Sequence, residues 1–191
     1  RQMCIRDRSY VDTTKAIIAS DGLATYKNKR TAHSNEQKII HLNDNVLLGY
    51  AGHLHSCLRI VSLLTNAKPE NQPIVNAMLV EDTNTFIQKC IASFDNLERC
   101  GFLICGKGKN GVPCSASTSN YAPDVLNYAI ADNILYYALY PEEVPRNVDL
   151  FRNRILQCPH DIRFAMGLTI DDVAKLSPTV NTQHYFQELR F

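Results

Sequence analysis

The chain of 191 residues has the usual length of one domain and is long enough to bury a hydrophobic core. Hydrophobic residues make up 45% and charged residues 20%, as in an ordinary globular protein, and a net charge of +1 argues against a nucleic-acid-binding surface. No apolar run approaches the roughly 20 residues that cross a bilayer, so we expect neither a nucleic-acid nor a membrane partner.

The first nine residues read R-Q-M-C-I-R-D-R-S, which is an unusual start for a buried strand. The charged run from Arg6 to Arg8 is especially unfavourable in that setting. We therefore predict that residues 1–9 are a non-native or disordered segment, and that a single domain spans residues 10–191.

Short apolar segments bounded by turn residues predict strands in the first third of the chain. These strands are expected at Tyr10–Val11, Lys15–Ser20, Lys38–Leu42 and Val46–Tyr50. Two helices should follow, because apolar residues recur at helical spacing from Leu54 to Leu64 and again from Val75 to Phe94. A connection that contains Pro69 and Pro73 separates them, and the second stripe predicts one continuous helix.

A hairpin is expected next, with strands at Gly101–Cys105 and Val112–Ser117. Its glycine-rich turn lacks the G-x-x-x-x-G-K-[ST] order, so we interpret it as a turn and not as a phosphate-binding loop. Residues 124–140 fit either a helix or a strand. Helices are predicted over residues 149–157 and 161–177, the second ending before Pro178, and a last strand over residues 180–191. This order predicts a layered α+β fold.

Seven cysteines without regular spacing favour reduced thiols in the cytoplasm over a disulfide framework. Cys57, Cys90 and Cys105 fall on apolar faces, where a thiol packs as a small hydrophobic group. The residues that could be grouped as metal ligands are Cys100, Cys105, Cys114, Cys158 and His160. They contain no C-x-x-C pair, so we expect core thiols, no metal and no other cofactor.

Three short motifs follow one another in the first third. They are A-S-D-G-L-A-T from Ala19 to Thr25, K-I at Lys38, and Y-A-G ending at Gly52. They resemble the A-A-D-x-R-A-T, K-[IV] and M-A-G motifs of proteasome β-type subunits, which are N-terminal-nucleophile (Ntn) hydrolases. The separation of Lys38 and Gly52 equals that of the family, whereas the separation of Asp21 and Lys38 is one residue longer. Leu23 replaces the family's arginine.

The resemblance implies a four-layer αββα sandwich, in which two antiparallel sheets lie between helix layers. It also implies a proteasome β or HslV-like protein of bacterial or phage type, a threonine-protease-like peptidase that forms homo-oligomeric rings or stacks. The reaction would be acyl transfer on a peptide or amide substrate. The alternatives are a non-catalytic proteasome-like assembly subunit and an unrelated α+β binding module.

The resemblance also assigns roles to three residues. Lys38 would lower the cost of deprotonating the nucleophile, Asp21 would hold Lys38 within hydrogen-bonding reach, and Gly52 would offer its N–H to the oxyanion. Each residue also has an ordinary structural interpretation. These are a lysine whose amine reaches water, a turn aspartate before glycine, and a glycine in a tight turn into a helix.

The nucleophile is less clear. The family's spacing from Asp21 leads to Ile5, which cannot attack a carbonyl, and Cys4 is its neighbour. If Met3 were the initiator, its removal would expose Cys4 with an α-amine that can act as base. Otherwise the native threonine, cysteine or serine has been lost from the foreign-looking segment. The family's Gly-Ser-Gly element is missing, since residues 129–133 read A-I-A-D-N, which favours the non-catalytic alternative.

Overall fold

The structure is a computed structural model, and it describes residues 8–25, 31–33, 36–130, 134–138, 149–177 and 180–191. Within these residues the chain forms eleven strands and five α-helices. The strands build two antiparallel sheets, of four and five strands, and a separate pair formed by β3 (Ala24–Thr25) and β4 (Thr31–His33). The protein is therefore a mixed α/β protein with two antiparallel sheets.

The four-stranded sheet has the order β10-β1-β2-β11. Its strands are β1 (Arg8–Val11), β2 (Lys15–Ser20), β10 (Leu135–Ala138) and β11 (Tyr185–Arg190). Strands β1 and β2 form a hairpin in which Arg8 lies opposite Ala19. The Asp12 carboxylate closes its turn by accepting hydrogen bonds from the backbone N–H groups of Thr14 and Lys15.

Strand β1 begins two residues before the predicted domain start at residue 10. Arg8 and Ser9 are strand residues with fully buried side chains, so the folded domain includes them. The Arg8 guanidinium donates a hydrogen bond to the carbonyl oxygen of Thr169 at 3.3 Å, which gives a buried charge a polar partner. Residues 1–7 lie outside the described residues, and their non-native origin stays a prediction.

The five-stranded sheet follows chain order from β5 to β9. Its strands are β5 (Ile39–Asn43), β6 (Val46–Gly52), β7 (Cys100–Lys107), β8 (Pro113–Ser119) and β9 (Val125–Tyr128). Within residues 124–140, where the sequence fits either a helix or a strand, the two described regular elements are the strands β9 and β10. The final strand begins at Tyr185, later than the predicted residue 180.

The helices are α1 (Leu54–Thr65), α2 (Gln72–Ala77), α3 (Val80–Ser93), α4 (Leu150–Gln157) and α5 (Ile162–Leu176). The single helix predicted from Val75 to Phe94 is wrong, because the chain is extended at Met78 and Leu79. The Asn43 side chain donates to the carbonyl oxygens of Val75 and Met78, at 2.7 and 3.1 Å. These bonds satisfy backbone groups that a continuous helix would otherwise have paired.

Three apolar clusters position the sheets and helices. The first joins α1 and α3 to the five-stranded sheet through residues such as Ile60, Ile87 and Phe102. The second joins α4 and α5 to the four-stranded sheet. In the third, Ile18 of β2 packs with Leu47 of β6, so the two sheets also share a core. Among the described residues, no helix is long and apolar enough to cross a membrane.

Candidate active site

Asp21 and Lys38 form a buried ion pair at one edge of the sheets. The Lys38 amine donates a hydrogen bond to the Asp21 carboxylate, with Nζ and Oδ1 2.7 Å apart, and both side chains are 0% exposed. Asp21 follows β2 of one sheet, and Lys38 precedes β5 of the other. The expected contact between the two residues is therefore present. It joins the two sheets at the point where β2 ends and β5 begins.

The second oxygen of the Asp21 carboxylate is held by the backbone. Its Oδ2 atom accepts hydrogen bonds from the N–H of Leu23 at 3.3 Å and from that of Asn181 at 3.4 Å. The carboxylate thus receives an amine on one oxygen and two backbone donors on the other. Charge-assisted hydrogen bonds of this kind are short and directional, so they fix the orientation of the carboxylate.

Gly52 ends β6 with a backbone that other residues adopt only under strain. Its φ angle is +119°, and a Cβ atom there would lie 2.3 Å from the carbonyl oxygen of Arg99. The N–H of Tyr50 donates to the carbonyl oxygen of Lys38 at 3.1 Å. Gly52 follows Tyr50 by two residues, so the end of β6 lies beside the start of β5, next to Lys38.

A polar network behind Gly52 fixes the start of α1. The N–H of His53 donates to the carbonyl oxygen of Arg99 at 2.6 Å, and the His53 ring contacts Ser56 Oγ and the Glu98 carboxylate, each at 3.2 Å. The His53 side chain is only 15% exposed, and its contacts support the Gly52 turn.

The chain enters β1 at the same edge as the ion pair. Strands β1 and β2 are antiparallel, and Arg8 lies opposite Ala19, just before Asp21. The candidate nucleophile Cys4 lies outside the described residues. So do residues 131–133 of the segment that replaces the Gly-Ser-Gly element; within that segment Ala129 is buried and donates its N–H to Pro113.

The cysteines of the described part are mostly core residues. Burial raises the pKa of the Cys100 thiol to about 11 and, together with the Glu81 charge, that of the Cys114 thiol to about 12. The pKa of Cys105 is raised further by the same cause. Thiols of this kind stay protonated at neutral pH and are poor nucleophiles. No group of three or more His, Cys, Asp or Glu side chains among the described residues could hold a metal ion.

Asn181 is the site residue that sequence reasoning missed. Its backbone N–H donates a hydrogen bond to the Asp21 carboxylate. Its side-chain oxygen accepts a hydrogen bond from the N–H of Gly22 at 3.3 Å. The contact spans about 160 positions of the chain. No local motif marks it, because it depends on how the segment after α5 meets the end of β2.

Comparison with known proteins connects this geometry to one fold. No protein-family model and no curated protein matches the sequence. Among solved structures, the chain is similar to the crystal structure of eukaryotic HslV from Trypanosoma brucei, with a TM-score of 0.66 and 12% identity. The match covers 97% of this chain and 99% of that one. The likeness shows that this chain has an HslV-like fold over almost its whole length.

Proposed function

We propose that the chain is a proteasome-type Ntn hydrolase that cleaves amide or peptide bonds by acyl transfer. The wholly buried Asp21–Lys38 ion pair carries the proposal. Burying two charges costs several kcal/mol per ion before their attraction is counted, so a buried ion pair adds little net stability to the fold. Its place at the edge where β1 begins, and the HslV-like fold, support a catalytic use.

The proposed nucleophile is the thiol of Cys4, as the first residue of the mature protein. Its α-amine accepts the thiol proton, while Lys38, held by Asp21, stabilises the thiolate. Sulfur attacks the amide carbonyl, and the Gly52 N–H donates to the oxyanion. When the C–N bond breaks, the leaving amine takes the proton from the α-ammonium group. Water then attacks the thioester, which releases the acid and restores the thiol.

We further propose a four-layer αββα arrangement and self-association. The packing of α1 with α3 on one sheet and of α4 with α5 on the other supports the layers. The HslV-like fold supports self-association as a homo-oligomer. The free buried thiols fit a reducing compartment such as the cytoplasm.

Hydrolysis of fluorogenic peptide amides tests the reaction. The chain is prepared with Cys4 as its first residue, by cleavage of an N-terminal tag, and compared with Cys4→Ala and Cys4→Thr. We expect turnover from the Cys4 form, reduced turnover from Cys4→Thr and none from Cys4→Ala. If all forms are folded and none of them cleaves a peptide or forms an acyl adduct, the chain is not a hydrolase.

A non-catalytic assembly subunit is the second candidate, and the absence of a serine from residues 129–133 favours it. An assembly role would depend on the surface that contacts other subunits and not on the Asp21–Lys38 ion pair. Light scattering of the Asp21→Asn/Lys38→Met double variant separates the two. An inactive chain whose oligomer survives the double substitution supports assembly, whereas a monomer of about 22 kDa at all concentrations contradicts it.

A further inference from the structure

Helix α5 and the segment that follows it reach both strand ends of the candidate site. The carbonyl oxygen of Thr169, within α5, accepts a hydrogen bond from Arg8, the first residue of β1. Beyond the helix, Asn181 contacts Gly22 and Asp21 at the end of β2. One helical unit therefore supports the strand that leads to the proposed nucleophile and also the carboxylate that holds Lys38.

Local hydrogen bonds hold the side chain of Asn181 in one orientation. Its side-chain oxygen accepts hydrogen bonds from the N–H of Gly22 at 3.3 Å and from that of Gln183 at 3.2 Å. Its side-chain nitrogen donates to the Gln183 carboxamide at 3.2 Å. An Asn oxygen that accepts from the residue two positions later forms an Asx turn, which sets the direction of the local backbone.

The core holds this turn in place. Val180, next to Asn181, is buried in the same apolar cluster as Val173 of α5. The N–H of Val180 donates to the carbonyl oxygen of Ser177 at 3.2 Å, and the N–H of Ser177 donates to that of Val173 at 3.0 Å. The position of Asn181 is thus determined by how α5 packs on the four-stranded sheet.

We propose that Asn181 is a positioning residue for Asp21. Its backbone N–H binds the carboxylate oxygen that Lys38 does not use, and its side chain holds the Gly22 backbone beside that carboxylate. Together they fix the orientation in which Asp21 accepts the Lys38 amine. The catalytic meaning of this positioning rests on the function proposed above, whereas the positioning itself can be measured without any turnover.

Nuclear magnetic resonance on the ¹⁵N-labelled full chain tests the proposal. Exchange of the Gly22 amide reports the Asn181 contact, and a slowly exchanging Lys38 ammonium signal reports the buried pair. In Asn181→Ala we expect Gly22 exchange to accelerate about 5- to 10-fold, the effect of one lost hydrogen bond, and the Lys38 signal to broaden or vanish. Asn181→Asp keeps the acceptor oxygen and should restore slow exchange at Gly22.

Gln183→Ala is the matched control, because it removes a side chain that bonds to Asn181 and leaves the contacts of Asn181 with Gly22 and Asp21 in place. It should change Gly22 exchange less than about twofold, within the small range expected of an exposed site. The amide of Ile104, in the core of β7, reports global unfolding and should be unchanged in all variants. An unchanged Gly22 amide in Asn181→Ala, an equal effect in Gln183→Ala, or equal acceleration at Ile104 would overturn the proposal.

The outcome is separable from that of the proposed function. If Asn181→Ala releases Lys38 while no form of the chain acylates, positioning stands and hydrolysis fails. If the chain acylates at Cys4 but neither the Lys38 signal nor the acylation rate responds to Asn181→Ala, hydrolysis stands and positioning fails.

Discussion

The ion pair at the strand ends and the ion pairs of Asp172 on the helices differ in how deeply they are buried. Asp21 and Lys38 are 2.7 Å apart and wholly buried between strand ends. On the outer helices, Asp172 of α5 binds Arg154 of α4 at 2.6 Å and Lys175 at 3.2 Å. The Lys175 side chain is 73% exposed and that of Asp172 is 16% exposed.

The difference indicates what each pair does. Exposed pairs form and break at little cost, and typically contribute up to about 1 kcal/mol to stability. A buried pair has lost its hydration, so removing one partner leaves the other charge buried without its counter-ion. The helix pair is therefore a minor stabilising contact, whereas the high desolvation cost of the strand-end pair supports the catalytic role that we propose for it.

Breaking the buried pair should have the largest effect. Lys38→Met leaves the Asp21 carboxylate buried without the amine that balances its charge, and we expect it to lower the free energy of unfolding by about 3–5 kcal/mol. Lys175→Met, in the exposed pair, should lower it by less than about 0.5 kcal/mol. Urea unfolding measures both values. Similar losses in the two variants would contradict the contrast.

Neutralising both buried partners sharpens the same test. In Asp21→Asn/Lys38→Met no charge is left uncompensated, so most of the stability lost in Lys38→Met should return. The urea midpoint of the double variant is then close to that of the parent chain. A double variant as unstable as Lys38→Met would mean that the stability loss does not come from an unpaired charge.

Two glycines extend the comparison to the backbone. Gly52, at the site, and Gly111, in the exposed β7–β8 turn, both have positive φ angles, of +119° and +74°. A Cβ atom added at Gly111 would lie in open space, whereas a Cβ atom added at Gly52 would clash with the carbonyl oxygen of Arg99. We expect Gly52→Ala to destabilise by about 3 kcal/mol and Gly111→Ala by about 1 kcal/mol, from strain alone. Equal unfolding midpoints would contradict this.

A further effect concerns the contact between Arg154 and Asp172 on the helices, and it depends on pH. The hydrogen bond from Arg154 lowers the pKa of Asp172, and partial burial offsets part of the shift. A carboxylate with a lowered pKa in the folded state stabilises above its unfolded pKa, about 3.9, and loses that contribution as the pH falls through the folded value. Asp172→Asn should therefore cost about 1 kcal/mol at pH 7 and less at pH 3, by urea unfolding at each pH.

Local patterns in the sequence predicted much of the architecture. Helical stripes identified α1 and α5, and short apolar runs identified β2, β5 and β6, because periodicity follows from which side faces the core. The contact of Asp21 with Lys38 was expected from the family resemblance of the motifs that contain these two residues. The break at Met78 was not expected, since it depends on Asn43, a polar residue from another element.

The roles of residues whose partners are distant in the chain could not be predicted from local sequence patterns. Arg8 belongs to a charged run that indicates exposure, yet the carbonyl oxygen of Thr169 lets it lie buried in β1. Asn181 reaches Asp21 only after α5 has packed against the sheet. In both cases the deciding partner lies more than 150 positions away, so composition and spacing around the residue carry no signal.

Acylation of Cys4 by a peptide electrophile, followed by intact-mass analysis and peptide mapping, tests the central claim most directly. The chain beginning at Cys4, its Lys175→Met variant and the Asp21→Asn/Lys38→Met double variant are labelled side by side. The account predicts one adduct, on Cys4, at equal rates in the first two and about 100-fold more slowly in the folded double variant. Equal rates in all three, or an adduct on Cys158 instead, would contradict a catalytic Asp21–Lys38 pair.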